Sequence, residues 1–186
     1  MIKILNIKSQ DFKKKFNYYL NIRRKYSSSK INVVKKIVND VKNNKDKSLI
    51  KYEKKFNKIK SLNANKLFYS KNEIEKSVKT LDKKIKNSID TAFKRIFNFH
   101  KNQKFKSFKI KDNFNNSLSY RSKPINKIGV YVPGGRASYP SSVLMNCIPA
   151  LIAGVKEIYM TVPSINRKIN PGVLYAAKKC KVKKIF

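Results

Sequence analysis

The sequence predicts an α/β protein, with a helical N-terminal region over residues 1–123 and the start of a Rossmann-like βαβαβ half-domain over residues 124–186. Three observations carry that reading. Apolar residues recur at three- and four-residue spacings through the first region, which is the helix period. The second region instead alternates short apolar runs with Pro and Gly. Charge thins across the boundary: residues 1–128 hold 36 Lys+Arg against 9 Asp+Glu, and residues 129–186 hold 9 against 1. The change of texture falls near Pro124.

Taken in order, Ile31, Val34, Val38 and Val41 mark one face of a first helix. Asp46 is placed to cap a second, in which Leu49, Tyr52 and Phe56 form a stripe before the break at KIKSLNANK. Ser70 with Glu73 three residues on is a capping box, each side chain satisfying a backbone N–H of the other. After Leu81 and Asp82 the positions Ile85, Ile89, Phe93, Ile96 and Phe97 continue an amphipathic pattern to about Phe99. All these stripes read as helix packing. SFKIKDNFNNSLSYRSKP then reads as two extended segments around an Asn-rich turn, a β-hairpin near 106–122.

The second region reads KIGVYV strand, PGG turn, SSVLMNCIPALIAG helix, EIYMTV strand, NPGVLYAAKKC helix, KVKKIF strand. Gly154 fits the end of the first of these helices. Asn170 as cap and Pro171 at the first turn fit the start of the second. Right-handed crossovers would make the strands parallel, with ligands expected beyond their carboxyl ends.

Composition excludes several classes. A 186-residue chain that is 41% hydrophobic and 11% aromatic can bury a core. No apolar stretch approaches the roughly 20 residues that span a bilayer, and the N-terminus is charged too early for a signal sequence, so the expected location is cytoplasmic. The formal charge of +35 invites a nucleic-acid reading, but 39 Lys against 6 Arg, spread along the chain, look like a default surface. Cys147 and Cys180 fall in helical segments and read as packing residues. His100, the only histidine, lies among aromatics without Cys or a second His and is given no catalytic or metal-binding role.

The turn in GVYVPGGRASYPSSVLMN is the candidate site. Its glycines would let backbone approach a bound group, and the N–H groups of the helix that follows could face an anion. It lacks the GxGxxG spacing, so a tight strand-to-helix connection competes with a ligand loop.

GVYVPGGRASYPSSVLMNCIPALIAGVKEIYMTVPS resembles the histidinol dehydrogenase family. The likeness continues upstream through VNDVKNNKDKSLIKYEKKFN and AFKRIFNFHKNQ and downstream through NPGVLYAAKKCKVKKIF. The resemblance implies an aldehyde-dehydrogenase-like architecture and a cytoplasmic, homodimeric enzyme of histidine biosynthesis. Such an enzyme is zinc-dependent and oxidises L-histidinol to L-histidine through the aldehyde with two NAD. The charge distribution and the lack of a long apolar stretch lead to the expectation of no specific nucleic-acid partner and no membrane partner. The family's catalytic Glu-His pair and its zinc ligands, a Gln, an Asp and two His, match nothing in this chain, so neither catalytic nor metal-binding residues are assigned. One position carries over: Tyr131 of GVYVPGG, which resembles an NAD contact. A strand-end tyrosine packed under the turn is the competing reading.

KVKKIF stops within an apparent strand, so the chain is expected to be an N-terminal fragment, inactive alone. Two other readings compete. One is a basic nucleic-acid-binding module using Lys with interleaved aromatics. The other is an inactive folded remnant that only self-associates.

Overall fold

The computed structural model describes residues 4–57, 63–134, 138–164 and 166–186. Residues 58–62 of the KIKSLNANK break, and Gly135 of the PGG turn with Arg136 and Ala137 after it, lie outside the described residues. The chain divides into two compact units, Met1–Glu53 and Lys54–Phe186. The change of texture near Pro124 therefore falls inside the second unit, because the helices before Pro124 pack on those after it.

The first unit is built on α1 (Phe12–Asn57), whose helical geometry breaks at Lys45 (φ 46°, ψ −129°). Two helices were expected here, joined just before Asp46, and the break falls there. The joining residue is Asp40 and not Asp46. The Asp40 carboxylate accepts hydrogen bonds from Asn44 Nδ2 (2.7 Å), Ser48 Oγ (2.7 Å), Lys51 Nζ (3.2 Å) and Tyr52 OH (2.9 Å). Those bonds, led by Ser48 and Asn44, hold the carboxyl far below the usual carboxylate range. Ser48 is buried. Of the face expected to pack, Ile31, Val34 and Val38 are exposed and Val41 is half-buried.

In the second unit a 3-10 turn (Ala64–Lys66) leads to α2 (Lys71–Lys79) and α3 (Lys83–Lys101). The capping box forms as read, with Ser70 N–H on Glu73 Oε2 (2.7 Å) and Glu73 N–H on Ser70 Oγ (3.2 Å). The amphipathic pattern is interrupted at Asp82, which caps α3 by accepting from the N–H groups of Lys84 (2.8 Å) and Ile85 (3.3 Å). Ile89 of α3 is buried, and Phe93, Ile96 and Phe97 pack beside it against the core.

The hairpin is β1 (Phe108–Lys111) with β2 (Ser117–Tyr120), antiparallel, Phe108 opposite Tyr120 and Ile110 opposite Leu118. Asp112 builds the turn, its Oδ1 accepting from Phe114 N–H (2.9 Å) and Asn116 N–H (2.8 Å).

Then come β3 (Lys127–Tyr131), α4 (Pro140–Ala153), β4 (Glu157–Thr161), α5 (Pro171–Lys179) and β5 (Lys184–Ile185). The strands are parallel in the order β3-β4-β5, which is the βαβαβ order read from the sequence. Gly154 ends α4 in the left-handed conformation (φ 92°), and Asn170 caps α5 through Gly172 N–H (2.8 Å), both as expected.

Two-residue alternation sorts the strands into faces. Val130, Val132, Ile158, Met160, Val162 and Ile185 are buried with the apolar sides of α4 and α5. Cys147 and Cys180 are fully buried in the same core, the packing role expected of them. In turn α3 packs on α4, and α2 on α5. Tyr175 of α5 fixes that second helical layer, its hydroxyl donating to Asp90 of α3 at 2.8 Å. Within this unit α2 to α5 thus stack in layers on one face of the sheet.

Candidate functional site at the carboxyl end of β3

The alternation that buries Val130 and Val132 puts Tyr131 on the opposite face, 63% exposed and level with Thr161 of β4. No hydrogen bond involves its hydroxyl among the described residues. The ring stands at the carboxyl end of its strand, where open parallel sheets place ligands.

The turn that follows has a steric reason for its first glycine. A β-carbon built on Gly134 would lie 2.7 Å from the carbonyl oxygen of Pro163. The connections leaving β3 and β4 therefore meet closely at Gly134 and Pro163, and a side chain at 134 would force one of them to shift. Beyond the turn, α4 starts at Pro140 after Tyr139, with no side-chain cap on its N-terminus. Fourteen residues of helix thus present their positive end at the same carboxyl end of the strands as Tyr131, on the other face of the sheet.

The face around Tyr131 carries one polar cluster. Glu157 accepts from Tyr159 OH (2.5 Å) and pairs with Lys183 (3.0 Å) and Lys127 (3.4 Å). The Tyr159 hydrogen bond, then the Lys183 one, brings its carboxyl down to about 2. This cluster ties the amino ends of β3 and β4 to the chain entering β5. It sits at the far end of the strands from the turn.

Two other places merit comparison. A cleft of about 860 Å³ is lined by His100, Gln103, Phe105, Lys123, Pro149 and Gly154. It lies at the C-terminal end of α4, hence at the amino ends of the strands and away from Tyr131. His100 there is half-buried and engaged with Gln103 Oε1 through Nδ1 (2.7 Å). Arg167, near the start of α5, is held by Glu73 (3.2 Å), by the carbonyl of Lys66 and by the face of the Tyr69 ring (4.8 Å). Its fork is spent on the fold.

Among the described residues no three His, Cys, Asp or Glu side chains cluster as a metal would require. The residues present do not fit a zinc site. No helix among them is long and apolar enough to cross a membrane. The sequence reading singled out Tyr131 but missed the bare face on which it stands. The signal was there in the alternation of Lys127, Gly129 and Tyr131 with Ile128, Val130 and Val132.

The family model for histidinol dehydrogenase matches residues 21–186. Histidinol dehydrogenase of Pelagibacter ubique is 46% identical over 187 residues, covering 100% of this chain and 42% of that protein. The same enzyme of Carboxydothermus hydrogenoformans is 40% identical over 153 residues, covering 82% of this chain and 36% of that protein. The crystal structure of histidinol dehydrogenase from Elizabethkingia anophelis superposes with a TM-score of 0.76 at 35% identity, over 83% of this chain and 35% of that one. The chain spans about two-fifths of the length of the curated relatives it matches.

Proposed function

Because this chain belongs to the histidinol dehydrogenase family, we propose that it forms the cofactor side of an NAD- and zinc-dependent enzyme. That enzyme oxidises L-histidinol to L-histidine through histidinaldehyde, as a cytoplasmic homodimer. The observation that carries the reading is Tyr131, exposed on a bare sheet face at the carboxyl end of β3, beside the turn at Gly134. The βαβαβ unit is then the first half of a Rossmann-like nucleotide-binding domain.

NAD, when bound, supplies the hydride acceptor for both oxidation steps. The chain's own part is positional. Contact between Gly134 and Pro163 fixes the path of the backbone leaving β3, which sets the direction of the Tyr131 ring. The open N-terminus of α4 offers N–H groups to an anionic group of the cofactor. The described residues do not fit zinc, so the metal and proton-transfer groups belong to the part of the family chain that the relatives have in addition. The chain by itself is then inactive. The exposed stripe Ile31, Val34 and Val38 on α1 supports association in the complete enzyme.

The test uses residues 1–186 joined to the part of the Pelagibacter ubique enzyme that follows the matched segment. Tyr131→Ala in that joined chain should raise the KM for NAD about tenfold or more, leave the KM for histidinol nearly unchanged and leave the melting temperature within about a degree. An unaltered KM for NAD with a loss of several degrees would return Tyr131 to a packing role.

A further inference from the structure

The two connections at the carboxyl end of the sheet carry no acid. Residues 162–170, VPSINRKIN, lead from β4 into α5, and residues 132–139, VPGGRASY, lead from β3 into α4. Neither stretch contains Asp or Glu, while together they hold Arg136, Arg167 and Lys168. The single acid of residues 129–186, Glu157, belongs to the opposite end of the strands, where Tyr159, Lys183 and Lys127 engage it.

That distribution bears on which dinucleotide the site admits. A dinucleotide lying across the carboxyl ends of a Rossmann-like half-domain brings its adenosine ribose to the connection that leaves the second strand. Here that strand is β4. A carboxylate at this place bonds the free ribose 2′-hydroxyl and repels a 2′-phosphate, whereas a cation accommodates the phosphate.

One carboxylate does reach the β4–α5 connection from another element, that of Glu73 at the start of α2. Both of its oxygens are engaged, Oε1 with Arg167 Nη2 (3.2 Å) and Oε2 with Ser70 N–H (2.7 Å). Glu73 and Arg167 thus balance one another. Lys168 is exposed and enters no ion pair among the described residues. A hollow of about 580 Å³ beside it is lined by Lys76, Ser77, Arg167, Lys168 and Asn170. Its place at the start of α5 puts it at the same end of the strands as Tyr131. Because Lys is this chain's default surface residue, the missing carboxylate sets the specificity more than the cations do.

We propose that the site admits NADP as well as NAD, with Lys168, and Lys76 on the same hollow, accommodating the ribose 2′-phosphate. The hydride chemistry is unchanged, since that phosphate is remote from the nicotinamide. The proposal rests on the cofactor reading above and adds its specificity.

Direct binding tests it without turnover. Calorimetric titration of the 186-residue chain with adenosine 2′,5′-bisphosphate, adenosine 3′,5′-bisphosphate and 5′-AMP separates position from charge. The two bisphosphates differ only in where the second phosphate stands. The 2′,5′ isomer should bind about tenfold or more tightly than either of the others, as expected of a charge-assisted contact. Equal affinity for the two bisphosphates overturns the proposal, because it marks attraction to net charge alone. Binding of 5′-AMP with rejection of the 2′,5′ isomer overturns this proposal and leaves the cofactor reading standing. Binding of none of the three overturns both.

Lys168→Asp supplies the absent carboxylate on an exposed side chain. In the chain joined to the remaining Pelagibacter ubique segment, it should lower the ratio of kcat/KM for NADP to that for NAD by about thirtyfold or more. The melting temperature should stay within about a degree, as for other surface substitutions. A merely structural role would not move that ratio. An unchanged ratio, or turnover with NAD and none with NADP in the parent joined chain, overturns the proposal.

Discussion

Gly134 and Pro163 meet so closely that a β-carbon on the glycine would stand 2.7 Å from the proline carbonyl oxygen and 3.2 Å from its Cβ and Cδ. The turns leaving β3 and β4 are thereby locked to one another. Gly134→Ala should destabilise the chain by about 1–3 kcal/mol through overpacking against backbone that cannot easily move. Thermal unfolding followed by circular dichroism measures it, and an unchanged midpoint would mean that the two turns are free to separate.

Tyr175 and Asp90 join α5 to α3 in the second helical layer. Tyr175 is 8% exposed and its hydroxyl donates to both carboxylate oxygens, at 2.8 and 3.0 Å, while Lys179 pairs with the same carboxylate at 2.9 Å. Burial pushes the Asp90 carboxyl up, yet the bonds from Lys179 and Tyr175 outweigh it and leave it lowered. Tyr175→Phe should cost about 1–2 kcal/mol, as a hydrogen bond to a partly solvated charge. The urea midpoint of the variant checks this. Unchanged urea resistance would mean that apolar packing alone holds the layer.

Glu157 gives the acid response. Its carboxyl falls from 4.5 to about 2 because Tyr159, Lys183 and Lys127 all favour the charged form. A group lowered on folding contributes stability that is present above its unfolded value and lost as pH falls toward its folded one. The window therefore runs from about 4.5 down to about 2. Melting temperatures across that range should fall less steeply for Glu157→Gln than for the parent chain. Parallel curves would show that the cluster contributes nothing to the pH response.

Much of this was legible in the sequence because the signals are local. The Ser70–Glu73 box, the left-handed Gly154 and the Asn170 cap each satisfy backbone groups a few residues away, so spacing alone specifies them. The break in α1 was legible too, although Asp40 rather than Asp46 spans it. Its partners Asn44, Ser48, Lys51 and Tyr52 come together only once the chain has kinked at Lys45. What was not legible depends on what meets what. The stripe Ile31, Val34 and Val38 has the period of a packed face, but periodicity cannot supply the partner surface. The fit of Gly134 against Pro163 joins residues brought together only by the crossover through α4. Tyr131 was named from resemblance, and its exposure follows from strand parity once Val130 and Val132 are known to face the helices.

The central claim is a division of labour, with the cofactor side in this chain and the metal and proton-transfer groups outside it. Formation of NADH from NAD and L-histidinol, in the presence of zinc, tests it most directly when followed by absorbance for the 186-residue chain and for the chain joined to the remaining Pelagibacter ubique segment. The account predicts no turnover above a protein-free blank for the first and measurable turnover for the second. Histidinol-dependent NADH formation by the 186-residue chain alone would contradict it.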